Sequence, residues 1–318
     1  MTLLLAINSV GDGWSLECWR DRFKAALPDH RVVAEGIDDY DPRDITNAAV
    51  WKPAPGLLAR LPELQVIFNL GAGVDALLAD ATLPSVPLVR AVNADLTRRM
   101  TEYVTLHVLL HHRRLPMLQR AQAAKQWLPK NQWAASAVRV GILGFGTLGR
   151  DAAEVLTRIG FQVAGWSRAP RPLAGVDVYA GVAELGAFLG RTDILVALLP
   201  LTPETRGILN RELFSQLARD GVLGAPVLIN AGRGGLHVEA DILAALDTGC
   251  LSAASLDVFE TEPLPAVSRL WSHPSVIVTP HNAADSDADA IAVDVAGQIV
   301  AYGKGLPLRN IVDRKRGY

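Results

Sequence analysis

The stretch Val140-Gly141-Ile142-Leu143-Gly144-Phe145-Gly146-Thr147-Leu148-Gly149-Arg150 predicts the fold of this chain. An apolar strand runs into three glycines spaced as G-x-G-x-x-G, and a helix with an apolar face follows directly. In such a unit Gly144 allows the tight turn, Gly146 lets the backbone approach a pyrophosphate, and Gly149 lets the helix pack closely on its strand. A second apolar run at 162–166 comes where the next parallel strand is expected, which makes a ligand-free glycine turn the weaker interpretation. The stretch therefore predicts a unit that binds a dinucleotide at a helix N-terminus.

The same alternation of short apolar runs and helical stretches extends in both directions from this unit. The predicted strands are 3–7, 31–34, 50–51, 65–69 and 87–90 before position 138, and 139–143, 162–166, 194–199, 227–230, 253–256 and 276–278 after it. Continuous apolar runs are typical of parallel strands that helices cover on both faces. The fold class is therefore predicted to be α/β, with two doubly wound parallel-sheet domains, Rossmann-like or flavodoxin-like, and a cleft between them.

Two further helices set the predicted domain boundaries. A helix at 97–114 follows the first set of strands, and a helix at 287–302 follows the second set and is expected to return the chain to the first domain. We therefore predict a discontinuous substrate domain of residues 1–98 plus 286–318 and a cofactor-binding Rossmann domain of residues 99–285. The segment 115–137, which carries two prolines and two polar-flanked tryptophans, is expected to be an excursion from the core.

Composition and charge exclude several classes of protein. Half of the 318 residues are apolar and the net charge is −2, so neither a disordered chain nor an overall basic, nucleic-acid-binding surface is expected. Cys18 and Cys250 are too few for a disulfide framework, and the His-x-x-x-His pattern of His107 and His111 lacks a third metal ligand. No apolar run approaches the roughly 20 residues that cross a bilayer, and the run at 3–7 is too short for a signal peptide. We expect a cytoplasmic protein with no metal, membrane or nucleic-acid partner.

The residues after the second strand of the glycine-turn unit, Trp166-Ser167-Arg168-Ala169-Pro170-Arg171, predict which dinucleotide binds. An acidic residue at this position would bind the ribose 2′-hydroxyl of NAD. Here Ser167 takes its place, and Arg168 and Arg171 could hold a 2′-phosphate with charge-assisted hydrogen bonds. A solvated loop that happens to carry two arginines is the alternative, but the missing carboxylate favours NADP.

Polar residues follow three consecutive predicted strands of the second set. They are Asn230-Ala231-Gly232-Arg233-Gly234, Asp257-Val258-Phe259-Glu260-Thr261-Glu262-Pro263-Leu264-Pro265 and Thr279-Pro280-His281-Asn282-Ala283-Ala284. The carboxyl ends of parallel strands border the ligand crevice of an open sheet. Arg233 could bind the carboxylate of a 2-oxo acid, His281 could protonate its carbonyl oxygen, and Glu262 could orient and stabilise the protonated imidazole. Each residue alone could be an ordinary loop residue, and the prediction depends on the three occurring together.

The chain resembles the D-isomer-specific 2-hydroxyacid dehydrogenases over its whole length. The resemblance depends on the order along the chain of the glycine turn, the segment Leu199-Pro200-Leu201-Thr202-Pro203-Glu204-Thr205-Arg206-Gly207 and the three polar stretches described above. The resemblance implies that Arg233, Glu262 and His281 are catalytic and that Asp257 lies near the nicotinamide carboxamide. It implies cofactor contacts from Gly144, Gly146, Thr147, Leu148, Gly149, Ser167, Arg168, Arg171, Leu199, Pro200, Thr205, Ala231, Gly232, Arg233, Asp257 and His281.

Within that family, Val50-Trp51-Lys52-Pro53 and Asn69-Leu70-Gly71-Ala72-Gly73-Val74-Asp75 are similar to the glyoxylate/hydroxypyruvate reductase A branch. The second stretch is a strand followed by a turn of small residues whose N–H groups could bind a carboxylate. The resemblance implies substrate contacts from Trp51, Leu70, Gly71, Ala72, Gly73, Arg233, Trp271 and His281. It implies NADPH-dependent reduction of glyoxylate to glycolate and of hydroxypyruvate to D-glycerate, with NAD also possible.

Other functions stay open at this point. A dehydrogenase for D-lactate or a related 2-oxo acid is one alternative, and a cofactor-sensing, corepressor-like binding protein is another. The formate dehydrogenase relatives should carry Gln where Glu262 stands, which argues against that activity. The segment 115–137 resembles the arm through which the family forms dimers, so a homodimer is expected. No role is expected for His111 and His112, which lie on the predicted helix at 97–114, or for His30, His107, His237 and His273, which lack an evident partner.

Overall fold

The computed structural model describes residues 1–8, 14–92 and 94–317, which form two compact units. The first unit comprises Met1–Leu96 and Ser286–Tyr318, and the second comprises Thr97–Asp285. The roles of the first unit in binding substrate and of the second unit in binding cofactor stay predictions.

Strands and helices alternate along most of the chain. The strands among the described residues are β1 (Thr2–Ile7), β2 (Arg31–Ala34), β3 (Ile45–Trp51), β4 (Val66–Asn69), β5 (Leu88–Arg90), β6 (Arg139–Leu143), β7 (Gln162–Ser167), β8 (Asp177–Ala180), β9 (Ile194–Ala197), β10 (Val227–Asn230), β11 (Ala253–Leu256) and β12 (Val276–Val278). The α-helices in the same ranges are α1 (Leu16–Ala26), α2 (Asp75–Leu78), α3 (Ala94–His112), α4 (Leu115–Ala123), α5 (Thr147–Ile159), α6 (Gly181–Gly190), α7 (Arg211–Ser215), α8 (Glu239–Asp247) and α9 (Ala288–Gly303).

The first unit is built on a parallel sheet with the strand order β2-β1-β3-β4-β5. One face of the sheet packs on α1 and α9, where Trp19, Phe23, Ile291 and Val295 share a buried cluster. Helix α9 thus returns the end of the chain to the first unit. The tail then runs beside β5, where the Val312 N–H donates to Leu88 O at 2.8 Å.

The second unit is built on a larger parallel sheet with the order β12-β11-β10-β9-β6-β7-β8. The chain reverses its direction of winding at β6, which lies between β7 and β9. Ligands of doubly wound sheets bind outside the strand ends at such a point. A separate buried cluster covers each face of this sheet, so its strands are apolar on both sides. The predicted class of two doubly wound parallel sheets is confirmed.

Several elements differ from the sequence-based prediction. Strand β3 begins five residues before the predicted 50–51, because pairing with β1 and β4 accommodates Asn47, which is a poor strand former. Residues 56–61, whose apolar spacing predicts a helix, contain only a 3₁₀ turn, Leu58–Arg60. Strand β8 was not predicted, because a partly exposed edge strand shows no continuous apolar run. The segment predicted as an excursion begins with α4, and residues 122–134 are exposed.

Candidate active site

The glycine turn after β6 has the geometry of a dinucleotide site. Gly144 has a left-handed φ of 113°, and a Cβ there would lie 2.6 Å from the carbonyl carbon of Leu198. A Cβ at Gly149 would lie 2.4 Å from Gly144 O, so α5 could not pack as closely with another residue there. Gly146 caps α5, and a Cβ there would meet no described atom within 4 Å. The first and third glycines are thus required by packing, whereas the second leaves open space before a helix N-terminus, as a bound pyrophosphate needs.

The loops after β9 and β10 lie against this turn. Leu198 and Leu199 contact Gly144, and a Cβ at Gly232 would lie 2.9 Å from Leu199 O. The predicted contacts Leu199, Pro200, Ala231 and Gly232 therefore stand on loops that meet beside the glycine turn. The Thr205 hydroxyl donates to Pro200 O at 2.7 Å, so it holds the loop after β9 in shape.

The loop after β7 carries the two arginines predicted to select NADP. The Ser167 hydroxyl donates to Ala169 O at 2.7 Å, and Arg150 of α5 donates to Arg171 O at 2.8 Å. These hydrogen bonds order the loop backbone while the side chains of Arg168 and Arg171 lie at the exposed surface. The arrangement suits cationic donors to a phosphate at the end of β7.

Glu262 and His281 form a pair at the carboxyl ends of β11 and β12. His281 Nδ1 lies 2.7 Å from Glu262 Oε2, and Glu262 Oε1 accepts from the Phe259 N–H at 3.0 Å. The backbone hydrogen bond orients the carboxylate, and the carboxylate orients the imidazole. The side chain of His281 is 45% exposed, so its other ring nitrogen, Nε2, can reach a ligand.

Asp257 holds the loop that carries His281. Its Oδ1 accepts from the Thr279 hydroxyl at 2.6 Å and from the Asn282 N–H at 3.1 Å, and its Oδ2 accepts from the Ala283 N–H at 3.0 Å. These donors stand on both sides of His281, whose own backbone is left-handed with a φ of 54°. Sequence reasoning placed Asp257 at the nicotinamide and missed this second role. The signal for it was an aspartate directly after a buried strand.

Tyr103 of α3 extends the same network. Because the Thr279 hydroxyl donates its only proton to Asp257, the Tyr103 hydroxyl, 2.9 Å away, must donate to Thr279 Oγ1. Burial raises the pKa of Tyr103, so the donor keeps its proton. Tyr103 stands on the predicted helix at 97–114, and nothing local in the sequence indicates a partner 176 residues away.

The Arg233 loop packs directly on the Glu262 loop. A Cβ at Gly234 would lie 1.9 Å from Phe259 O, so only glycine allows this approach. Arg233 itself is half-buried, and its Nη1 donates to Gly232 O at 2.7 Å. The structure thus brings Arg233, Glu262 and His281 onto three adjacent loops at one end of the second sheet. Trp271 belongs to the same unit, with its indole N–H donating to Pro265 O at 3.1 Å.

The remaining predicted substrate residues belong to the first unit. The Asn69 amide donates to Gly71 O at 2.7 Å and to Gly73 O at 2.9 Å, which turns both carbonyls toward Asn69. The N–H groups that follow these carbonyls, on Ala72 and Val74, therefore point the other way, as carboxylate binding requires. A Cβ at Gly71 would lie 2.0 Å from Trp51 Cζ3, so Trp51 packs directly on this turn. Leu70 lies in the core, which limits any ligand contact to its backbone.

Four of the remaining histidines have partners, so the expectation that His107, His237 and His273 lack them is wrong. His107 Nδ1 and His111 Nε2 both lie 2.8 Å from Ser255 Oγ, His237 Nδ1 lies 2.9 Å from Asn230 Nδ2, and His273 Nδ1 accepts from the Ser275 N–H at 3.2 Å. Their partners are distant in sequence or come close only when a loop folds back, so the spacing of residues along the sequence does not indicate them.

Among the described residues, no group of three or more His, Cys, Asp or Glu side chains could hold a metal ion. No described helix combines the length and apolar character needed to cross a membrane.

Comparison with known proteins places the chain among related enzymes. The family model described as D-isomer specific 2-hydroxyacid dehydrogenase, NAD binding domain, matches residues 105–283. The glyoxylate/hydroxypyruvate reductase A of Serratia proteamaculans is 40% identical over 311 residues, which cover 96% of this chain and 97% of that protein. Its counterpart from Escherichia fergusonii is 41% identical over 307 residues, which cover 94% of this chain and 96% of that protein.

Solved structures show the same likeness. An NADPH-dependent glyoxylate/hydroxypyruvate reductase from Sinorhizobium meliloti, in complex with NADP and sulfate, matches with a TM-score of 0.92 and 47% identity, covering 100% of this chain and 99% of that one. A D-isomer specific 2-hydroxyacid dehydrogenase from Xanthobacter autotrophicus, in complex with NADPH and MES, matches with a TM-score of 0.92 and 40% identity, covering 99% of each chain.

Proposed function

The chain belongs to the D-isomer specific 2-hydroxyacid dehydrogenases and is an NAD(P)-dependent 2-hydroxyacid dehydrogenase, and from this premise we propose that it reduces glyoxylate to glycolate and hydroxypyruvate to D-glycerate with NADPH. The observation that carries the proposal is the 2.7 Å pair of His281 and Glu262 on the loop that Asp257 holds, beside the Arg233 loop. The names of the relatives support this choice of substrates and cofactor.

The second unit fits the cofactor. The open space at Gly146 and the N-terminus of α5 suit the pyrophosphate, while Arg168 and Arg171 suit the 2′-phosphate that distinguishes NADPH from NADH. When bound, NADPH supplies the hydride that reduces the carbonyl carbon of the substrate. The residues of the chain supply the remaining requirements, which are substrate binding and a proton.

His281 is the proposed proton donor. Its Nδ1 faces Glu262, so Nε2 is the nitrogen that donates to the carbonyl oxygen. The Glu262 carboxylate stabilises the protonated imidazole before transfer, and the Phe259 N–H keeps that carboxylate in place. Because the Asp257 network fixes the backbone on both sides of His281, the ring needs little reorganisation to reach the substrate.

Arg233 is the proposed anchor for the substrate carboxylate, through the two parallel N–H donors of its guanidinium. The turn Leu70–Gly73 is proposed to contribute N–H donors to the substrate, and Trp51, which packs on that turn, and Trp271 are proposed to limit its size.

The test is a steady-state comparison of glyoxylate, hydroxypyruvate and pyruvate with NADPH and with NADH. We expect kcat/KM for glyoxylate and hydroxypyruvate with NADPH to exceed that for pyruvate by about tenfold or more. Glyoxylate has the more reactive aldehyde carbonyl and hydroxypyruvate has a hydroxyl that a polar site can bind, whereas pyruvate has neither. Preference for pyruvate would overturn the substrate assignment in favour of a D-lactate dehydrogenase. Absence of turnover with every pair would indicate a cofactor-sensing binding protein instead.

We also propose that the chain acts as a cytoplasmic homodimer. Trp127 is 97% exposed and Trp133 45% exposed on the segment after α4, and exposed tryptophans on an extended segment are typical of an interface. Cys18 and Cys250 are both free thiols, as in reducing compartments. Light scattering at micromolar concentration should give twice the mass of the chain, and Trp127→Ser should shift the protein toward the monomer. A monomeric wild-type protein would exclude the dimer.

A further inference from the structure

The side chain of Asn230 organises the loop that carries Arg233. Asn230 is the last residue of β10 and is fully buried. Its Oδ1 accepts from the Gly232 N–H at 3.1 Å, and its Nδ2 donates to Arg233 O at 3.1 Å. The amide thus contacts the backbone of Arg233 and of the residue before it. The Asn230 amide sets the direction in which the loop leaves the sheet, and the position of the Arg233 guanidinium therefore depends on this amide.

The second proton of that amide goes to His237. His237 Nδ1 lies 2.9 Å from Asn230 Nδ2, and His237 is fully buried at the end of the 3₁₀ turn Gly234–Leu236. Since Asn230 Nδ2 can only donate, Nδ1 must be the accepting nitrogen, and the imidazole carries its proton on Nε2. Nε2 has no hydrogen-bond partner among the described residues. Burial lowers the pKa of His237 to about 4, so the ring is neutral at physiological pH.

A buried asparagine amide can be rotated, because its oxygen and nitrogen have nearly the same shape. Rotation of Asn230 would turn Oδ1 toward Arg233 O, an acceptor, and would leave the Gly232 N–H facing a donor, so these two backbone groups set its orientation. His237 Nδ1 accepts the amide proton that remains and so satisfies the amide in this orientation. A side chain without an acceptor at position 237 would leave one buried amide proton unpaired and destabilise this orientation.

We propose that His237 is a positioning residue, which fixes the Asn230 amide and through it holds Arg233 in the orientation that binds the substrate carboxylate. The inference rests on the proposed role of Arg233 as the carboxylate anchor. His237 touches neither substrate nor cofactor in this account. It acts on affinity for the carboxylate and not on the proton donor, which stands on another loop.

The test compares His237→Leu, which removes the acceptor at similar volume, with His237→Asn, whose side-chain oxygen can replace Nδ1. We expect His237→Leu to raise KM for glyoxylate and Ki for oxamate, a non-reducible 2-oxo acid analogue, together by about tenfold. The kcat should fall by less than about threefold, and the NADPH dissociation constant, measured by nucleotide fluorescence, should change less than about twofold. His237→Asn should restore KM and Ki to within about threefold of wild type.

Arg233→Lys separates failure of this inference from failure of the proposed function. If Arg233→Lys leaves KM and Ki unchanged, Arg233 is not the anchor and the proposed function is wrong at that residue. If Arg233→Lys raises both and a folded His237→Leu raises neither, only the positioning role is overturned. The double variant Arg233→Lys with His237→Leu should bind oxamate no more weakly than Arg233→Lys alone, since both changes act through the side chain at position 233. Should His237→Leu not fold, His237→Met replaces it. Failure of both to fold would make His237 a core residue and overturn the proposal.

Discussion

At the scale of the residue, the left-handed backbone of His281 is the least expected feature of the site. Its φ of 54° costs roughly 1–3 kcal/mol for a residue with a side chain, and such strain persists only where neighbours impose it. The carboxylates of Asp257 and Glu262 impose it here, through the backbone and through the ring. The strain aims the imidazole, which is consistent with a proton donor.

His281→Asn is the substitution that isolates the proton. Asparagine tolerates the left-handed conformation and keeps a hydrogen-bonding group, but it has no titratable proton. We expect kcat for glyoxylate to fall by about 10²–10⁴-fold while NADPH binding is retained. His273→Asn, which keeps an acceptor for the Ser275 N–H, is the matched control and should remain near wild type. Activity of His281→Asn within a few-fold of wild type would rule out His281 as the donor.

Arg168 and Ser167 are expected to decide the cofactor. Loss of one partner of a charge-assisted pair costs about 1.5–3 kcal/mol, so Arg168→Ala should weaken NADPH by roughly 10–100-fold and leave NADH almost unchanged. Adding Ser167→Asp should invert the preference, because aspartate repels the phosphate and accepts from the ribose hydroxyls. The measurement is kcat/KM for both cofactors at saturating glyoxylate, with Arg158→Ala, an exposed arginine of α5, as the control. Equal weakening of both cofactors by Arg168→Ala would contradict the assignment.

At the scale of the element, helix α3 supports the His281 loop through Tyr103. Tyr103→Phe removes the donor to Thr279 and should lower the free energy of unfolding by about 1 kcal/mol. Because Thr279 helps Asp257 to hold the His281 loop, kcat should also fall a few-fold with KM for glyoxylate unchanged. Tyr179→Phe on the edge strand β8 is the control for loss of a hydroxyl. A loss of stability without any change in kcat would restrict α3 to a structural role.

The elements differ in how far the sequence could predict them, for physical reasons. Buried parallel strands such as β6 and β10 are continuous apolar runs, and the glycine turn after β6 has its own spacing, so both were predictable. Strand β8 has no continuous apolar run that would indicate a strand, and it forms because it pairs with β7. The placement of Arg233, Glu262 and His281 on adjacent loops could be predicted because they follow consecutive strands. The contacts of Tyr103 and His237 could not, since they depend on how distant or refolded segments meet.

At the scale of the whole molecule, the two ends of the strands in the second unit carry different features, with the candidate site at one end and a structural ion pair at the other. The carboxyl ends of β10, β11 and β12 carry the polar loops of the site. The opposite edge carries a buried ion pair, where Arg139 Nη2 lies 2.7 Å from Asp193 Oδ1 and also contacts Asp220 at 2.7 Å. Removing one partner of such a pair leaves a buried charge, so this edge is expected to resist substitution for structural reasons.

Buried neutral histidines should make the whole molecule sensitive to acid. Burial lowers the pKa of His107, His111 and His237 to about 4, with Asp257 opposing the shift at His107 and with His107 adding to it at His111. In the unfolded chain these groups take up protons near pH 6.5, so between pH 6.5 and about 4 the unfolded state binds more protons than the folded state. Stability from this source is complete above pH 6.5 and is lost as the pH falls through that window, by up to about 1.4 kcal/mol per pH unit for each histidine.

His111→Gln tests the acid sensitivity, because its amide can keep the hydrogen bond to Ser255 without titrating. We expect the free energy of unfolding in urea to fall less steeply from pH 6.5 to 4.5 than in wild type, by up to about 1.4 kcal/mol per pH unit. Val104→Ala, also buried on α3, should lower stability by a similar amount at every pH and leave the slope unchanged. A wild-type slope in His111→Gln would show that the folded protein takes up a proton at His111 in this pH range as readily as the unfolded chain does. The fold would then have to hold a buried charge beside Ser255, which the neutral hydrogen-bond network between α3 and β11 does not provide for.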